Sequence, residues 1–185
     1  MGIGGGPSEW DDYEWVRLDD LPVEPLTEAI LDWLADHPVW TGGDVDRVLL
    51  VDLDNLRAEP GRWGVRMAAM VALASQADHA HFAGQAGAVR RARPHLEGVA
   101  ATVQGVPDGS DLADHALLDA ARALDLHRAE VCVVSNDGIF ADLADSAPLT
   151  VVTPGRQALS KRLVDAATRL VELTTLEEAA GSVRA

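Results

Sequence analysis

The run "RVLLVDLDNLR", residues 47–57, is the strongest constraint on what this chain can fold into. Val48, Leu49, Leu50 and Val51 follow one another without the alternation of a strand that has one wet face. The segment therefore reads as a strand buried on both sides, as in a parallel sheet. At Asp52, Asp54 and Asn55 the run turns abruptly polar. Ligands of open α/β sheets gather at the carboxyl ends of the strands. A strand ending on acids thus raises the question of which other acids reach the same edge.

Downstream, strand-like and helix-like stretches alternate. Strands are expected at 47–53, 78–84, 98–106, 129–136 and 148–154, with helices at 62–77, 85–93, 110–124, 138–146 and 156–173. This alternation predicts an α/β domain over 47–175, with a central, mostly parallel five-stranded sheet between two layers of helices. Residues 176–185 are expected to fray.

Residues 1–46 have a different composition. They hold Glu9, Asp11, Asp12, Glu14, Asp19, Asp20, Glu24, Glu28, Asp32, Asp36, Asp44 and Asp46 against Arg17 alone, a net of −11 out of −15 for the chain. Four of the five tryptophans (Trp10, Trp15, Trp33 and Trp40) lie here too. In "PLTEAILDWLADHP", Ile30, Leu31 and Leu34 have helical spacing, Thr27 is a candidate N-cap and Pro38 a stop. The segment reads as an acidic, tryptophan-rich extension with one short helix, preceded by a flexible start at 1–9. It is no nucleic-acid grip. Three uses are open to it: packing on the sheet, docking a protein partner, or lying as an acidic mimic over a basic face.

Composition excludes several classes. With 48% hydrophobic residues the chain is not broadly disordered, and no apolar run is long enough to span a membrane. The glycine-rich start lacks the pattern of a signal peptide, and "GIGGG" follows no strand and so is no dinucleotide loop. The single Cys132, in "EVCVV", excludes an internal disulfide framework and fits a cytoplasmic protein.

Acids recur at matching places in the alternation. Asp52 ends the first strand, Asp111 and Asp114 open the helix at 110–124, and Asp137 follows "VVSN". Gathered at one sheet edge, carboxylates repel. A hard divalent cation, Mg²⁺ or Mn²⁺, relieves that repulsion and suits metal-assisted hydrolysis of a phosphodiester. Taken singly, each acid also has a plain structural role. Asp111 and Asp114 fit an N-cap and a first helical turn, Asp54 and Asn55 fit a turn, and Asp137 fits a cap. Two basic groups, Arg90, Arg91 and Arg93 and then Arg156, Lys161 and Arg162, are either phosphate contacts or ordinary solvated faces.

In order and spacing, "VLLVDLDN", "GSDLADHALL" and "VVSNDGIFADL" resemble the NYN branch of the PIN-like nucleases, the last motif being most similar to Regnase-type ribonucleases. The resemblance spans about 47–154. It implies a three-layer, Rossmann-like PIN/NYN domain that cleaves single-stranded RNA with Mg²⁺. Asp52, Asp114 and Asp137 are then the metal ligands and Asn55 the accompanying amide, with Ser135 and Asn136 shaping the site. The chain departs from the pattern at His115 and Ile139, where many relatives carry acids; Asp54, Asp111 or Asp119 are candidate substitutes. Asp119, however, lies nearly half a helical turn around from Asp114. These departures leave open a catalytically degenerate module that binds RNA or a protein. "DLDN" also resembles the haloacid-dehalogenase phosphatases. Those place a Lys or Arg ahead of the last acidic motif, whereas the sole lysine here, Lys161, lies beyond it.

Overall fold

The computed structural model describes residues 25–36, 38–58 and 60–182. Six strands, β1 (Asp46–Asp52), β2 (His79–Gln85), β3 (Thr102–Val106), β4 (Ala129–Val134), β5 (Leu149–Thr153) and β6 (Arg169–Glu172), form one sheet. Their order is β3-β2-β1-β4-β5-β6, and every neighbouring pair is parallel. The sheet is therefore six-stranded and wholly parallel, not the mostly parallel five-stranded one expected.

The extra strand comes from the stretch whose pattern predicts a single helix at 156–173. The chain there forms α5 (Lys161–Ala166), then β6, then α6 (Leu173–Ser182). β6 pairs with β5 from Thr150–Arg169 to Thr153–Glu172 and satisfies backbone groups that would otherwise face outward. Helix α6 also continues through most of the segment expected to fray. Its Glu177 is buried and pairs with the buried Arg66 at 2.9 Å.

The unbroken apolar run of β1 has the reason its composition suggests, because both of its faces are covered. Leu49 and Val51 join one core with α1 (Pro25–Asp36), α2 (Pro60–Ala74), α3 (Ala86–Ala92) and α6. Val48 and Leu50 join the other core with α4 (Leu112–Arg122), the 3-10 helix Gly138–Asp145 and α5. Each core holds alternate residues of the same strands, as a pleated backbone requires.

The start of the described chain belongs to this fold. Helix α1 begins at Pro25, which places Thr27 inside it and not at its cap. A proline in the first turn is tolerated because its missing N–H has no helical acceptor there. Ile30, Leu34, Val39 and Trp40 are buried in the first core, and both the N–H and the hydroxyl of Thr41 donate to Glu130 at 2.8 Å. Residues 1–24, with the expected flexible start and Trp10 and Trp15, lie outside the described residues. Among the described residues no helix is long and apolar enough to cross a membrane.

Candidate functional site

The strand order reverses between β1 and β4, and such a switch point opens a crevice at the carboxyl edge of a parallel sheet. Asp52 is the last residue of β1, and Ser135, Asn136 and Asp137 follow β4 directly. The motifs that stand far apart in sequence thus meet at one point of the topology.

Asp52 is 2% exposed and surrounded by donors. The N–H groups of Asp54 and Asn55 donate to its Oδ1 at 2.9 and 3.3 Å. The Asn55 side-chain amide and, at 3.3 Å, the Ser135 hydroxyl donate to its Oδ2. Burial nevertheless raises its pKa above the ordinary aspartate value, against the pull of the Asn55 and Asp54 donors. Turn and site are here one structure, since the bend after β1 is what aims its amides at the carboxylate.

Asp111, Asp114 and Asp137 bring carboxylate oxygens within 4.8 Å of one another. Asp111 occupies the N-cap position of α4, but its side chain caps nothing and its backbone is left-handed, at φ 62. That conformation costs on the order of 1 kcal/mol for a residue with a Cβ. Asp114, in the first turn of α4, is buried, and its Oδ1 has no hydrogen-bond partner among the described residues. Its pKa is pushed up to about 7, first by burial, then by the charges of Asp52 and Asp137, and further by the hydrogen bond its protonated form makes to Asp52. Asp137 takes the capping role anticipated for it and also lies among the acids. Its Oδ1 caps the 3-10 helix by accepting from the Ile139 N–H at 2.9 Å.

An orphaned carboxylate oxygen in a group of like charges is an incomplete arrangement. The donors are all oxygen, which fits a hard cation such as Mg²⁺ or Mn²⁺ and not a soft one. Asp111, Asp114 and Asp137 are the residues that could hold it. Asp52, which the resemblance names as a ligand with Asp114 and Asp137, lies outside that group of three but close enough for its charge to act on Asp114.

Other anticipated residues fall elsewhere. Asp54 turns away from Asp52, and its two oxygens accept from the Gln85 N–H at 3.0 and 3.2 Å. Asp119 is exposed and pairs with Arg122 at 3.0 Å, as its place around the helix requires, so it does not join the acids. Asn136 shapes the neighbouring loop. Its amide donates to Gly155 and Gln157 carbonyls at 3.1 Å, and its oxygen accepts from Thr153. His115 is exposed, and Ile139 packs against the second core.

The two basic groups differ in kind. Arg156 pairs with Glu172 at 2.6 Å, Lys161 with Asp165, and Arg162 with Asp142. Arg90, Arg91 and Arg93 are exposed and form no ion pair among the described residues. Sequence reasoning missed Arg57 and Trp63, which line a cleft with Arg91 beside Asp54. Their only signal was that Trp63 is the single tryptophan outside the acidic extension.

No protein-family model matches the chain, and no curated protein does. Among solved structures, it is similar to a protein of unknown function from Vibrio parahaemolyticus, with a TM-score of 0.53 at 20% identity. That likeness covers 72% of this chain and 96% of the other, and it speaks for the fold alone.

Proposed function

We propose that this chain is a metal-dependent endoribonuclease that cleaves single-stranded RNA. The observation carrying this reading is Asp114, a buried carboxylate with an unpartnered oxygen, set among Asp52, Asp111 and Asp137 at the switch point of a parallel sheet. Helix capping does not account for it, since a capping carboxylate has an N–H partner and this oxygen has none. The PIN/NYN-like order of the motifs supports the same reading.

Asp111, Asp114 and Asp137 hold Mg²⁺ or Mn²⁺ in this proposal. A bound cation supplies positive charge for the phosphate and acidifies the attacking water. Asp52 is fixed by Asn55 and Ser135 and keeps its orientation without help from solvent. Water adds to phosphorus as the bond to the leaving sugar oxygen breaks, and that oxygen takes up a proton. The unpaired Arg90, Arg91 and Arg93 lend local positive charge to a chain whose net charge is −15.

The test is purified protein with a single-stranded oligoribonucleotide, with and without Mg²⁺ or Mn²⁺, beside Asp52→Asn and Asp114→Asn. Cleavage that needs the metal and disappears in both variants is the expected result. RNA binding without cleavage would favour the degenerate module, and release of phosphate from a phosphomonoester would favour the phosphatase.

A further inference from the structure

A cleft of about 410 Å³ opens beside the acids, lined by Leu53, Asp54, Arg57, Trp63, Gln85 and Arg91. It adjoins the candidate site through the chain itself, because Asp54 follows Asp52 by two residues. Gln85 also reaches across, its amide donating to the Gly109 carbonyl at 3.4 Å on the approach to Asp111. The geometry points to this cleft as a subsite for one phosphate-bearing nucleotide of single-stranded RNA, next to the nucleotide whose backbone meets the acids. The assignment rests on the ribonuclease reading for what happens next door, but its own chemistry is independent.

That chemistry lies in cations that have no acids. Arg62 and Arg66 are matched by Glu177, Arg122 by Asp119, Arg156 by Glu172 and Arg162 by Asp142. Arg57 and Arg91 have no such match among the described residues, yet both are held in place. The Arg57 Nε donates to the Asp54 carbonyl at 3.1 Å, which leaves its terminal amino groups free for a ligand. The Arg91 guanidinium lies over the Trp63 ring, 5.1 Å from its centroid. Two guanidinium groups, one fixed by a carbonyl and one by an aromatic face, lose little freedom on gripping a phosphate. They also add positive charge at one point of a strongly acidic protein, and local potential decides where a polyanion lands.

The rest of the lining suits a nucleotide better than a bare anion. Leu53 and Trp63 form its apolar floor, both largely buried, with the Arg91 guanidinium over the Trp63 ring. Asp54 is held by the Gln85 N–H and supplies an acceptor for sugar or base donors. A flat cation packed on an aromatic ring is a surface on which unpaired bases stack, so a single strand fits where a duplex does not.

The test measures binding apart from cleavage. Anisotropy of a labelled single-stranded oligoribonucleotide is followed in the presence of a chelator, with wild type, Arg57→Gln/Arg91→Gln, and Arg122→Gln as a control. The double variant should bind about tenfold more weakly or worse, and its salt dependence should flatten by about 0.7 in log–log slope for each phosphate no longer gripped. The control should match wild type, and all three should melt alike. If the double variant melts early, Arg91→Lys replaces it; keeping the charge but losing the planar fork, it should weaken binding less but measurably. Unchanged affinity in these variants, or no binding by wild type, overturns the assignment. A cleavage assay with Mg²⁺ separates the two readings. Weakened binding in the double variant with no cleavage by wild type removes the ribonuclease and leaves the subsite. Wild-type cleavage with KM and kcat unchanged in the double variant does the reverse.

Discussion

The hydroxyl of Ser135 donates to Oδ2 of Asp52 at 3.3 Å, joining the residue after β4 to the last residue of β1. The same hydroxyl oxygen accepts from the Asp137 N–H at 3.1 Å. One buried hydroxyl therefore couples two acids across the point where the strand order reverses. Asp52 is held from both sides, by its own turn through Asn55 and by the neighbouring strand through Ser135.

Ser135→Ala should accordingly cost about 1–2 kcal/mol, because it removes one donor from a buried carboxylate and the acceptor of a backbone N–H. Urea unfolding measures the loss, and calorimetric titration with Mg²⁺ should show weaker binding in the variant. Stability and metal affinity equal to wild type would mean that the bridge carries neither.

Asp114 gives a pH dependence whose sign is unusual for an aspartate. Its folded pKa of about 7 lies above the ordinary 3.8, so the folded chain keeps a proton that the unfolded chain gives up. Its contribution to stability is complete below the ordinary value and is lost as pH rises towards about 7. The raised pKa of Asp52 acts in the same direction. Asp114→Asn should lessen this decline, leaving the share of Asp52, and melt higher than wild type at neutral pH. Mg²⁺ should stabilise wild type more as pH rises, since cation and proton compete for the same oxygens, and should leave the variant nearly unmoved. Melting curves across pH, with and without Mg²⁺, decide it. Parallel curves for the two proteins would show that Asp114 ionises freely.

Strands buried on both faces announce themselves by composition, which is why β1, β4 and β5 are legible as runs rich in Val and Leu. β6 is not. Four residues place only two side chains on each face, and Leu170 and Val171 also fit the 3.6-residue pattern of the helix before them. What makes them a strand is the free edge of β5, a tertiary fact. The positions of Asp52, Asp111, Asp114 and Asp137 are legible because acids at strand ends and helix starts share an edge in any parallel sheet. The diversion of Asp54 to the Gln85 N–H and the meeting of Arg91 with Trp63 both join segments distant in sequence, and no local pattern carries such a meeting.

The pair formed by Glu177 and Arg66 tests the reading of the C-terminus. Arg66 donates to Glu177 and also to the carbonyls of Arg57, at 2.8 Å, and Pro154, at 3.1 Å, so α6, α2 and two loops share one guanidinium. Glu177→Ala strands a buried cation and should cost about 3 kcal/mol. Deleting 176–185 should cost at least as much. A deletion that unfolds at the wild-type urea concentration would restore the expectation of a frayed end.

The acidic start of the chain gives the last prediction, and the buried residues of α1 show where to cut. Removing residues 1–40 takes Ile30, Leu34, Val39 and Trp40 out of the first core. At about 1.5–3 kcal/mol for each large apolar side chain, that loss rivals the whole stability of a domain. Such a truncation should not fold, whatever the role of the segment in binding. Removing residues 1–24 spares the packed helix and takes away Glu9, Asp11, Asp12, Glu14, Asp19, Asp20 and Glu24 against Arg17 alone. If those acids compete with substrate for Arg57 and Arg91, the shorter chain should bind single-stranded RNA more tightly. The gain should be largest at low salt and fade as the Debye length falls to about 10 Å at 0.1 M. A gain independent of salt would point to steric cover in place of charge. Identical affinities at every salt concentration would rule out the mimic; with melting also unchanged, packing falls as well and protein docking is left as the use of those residues.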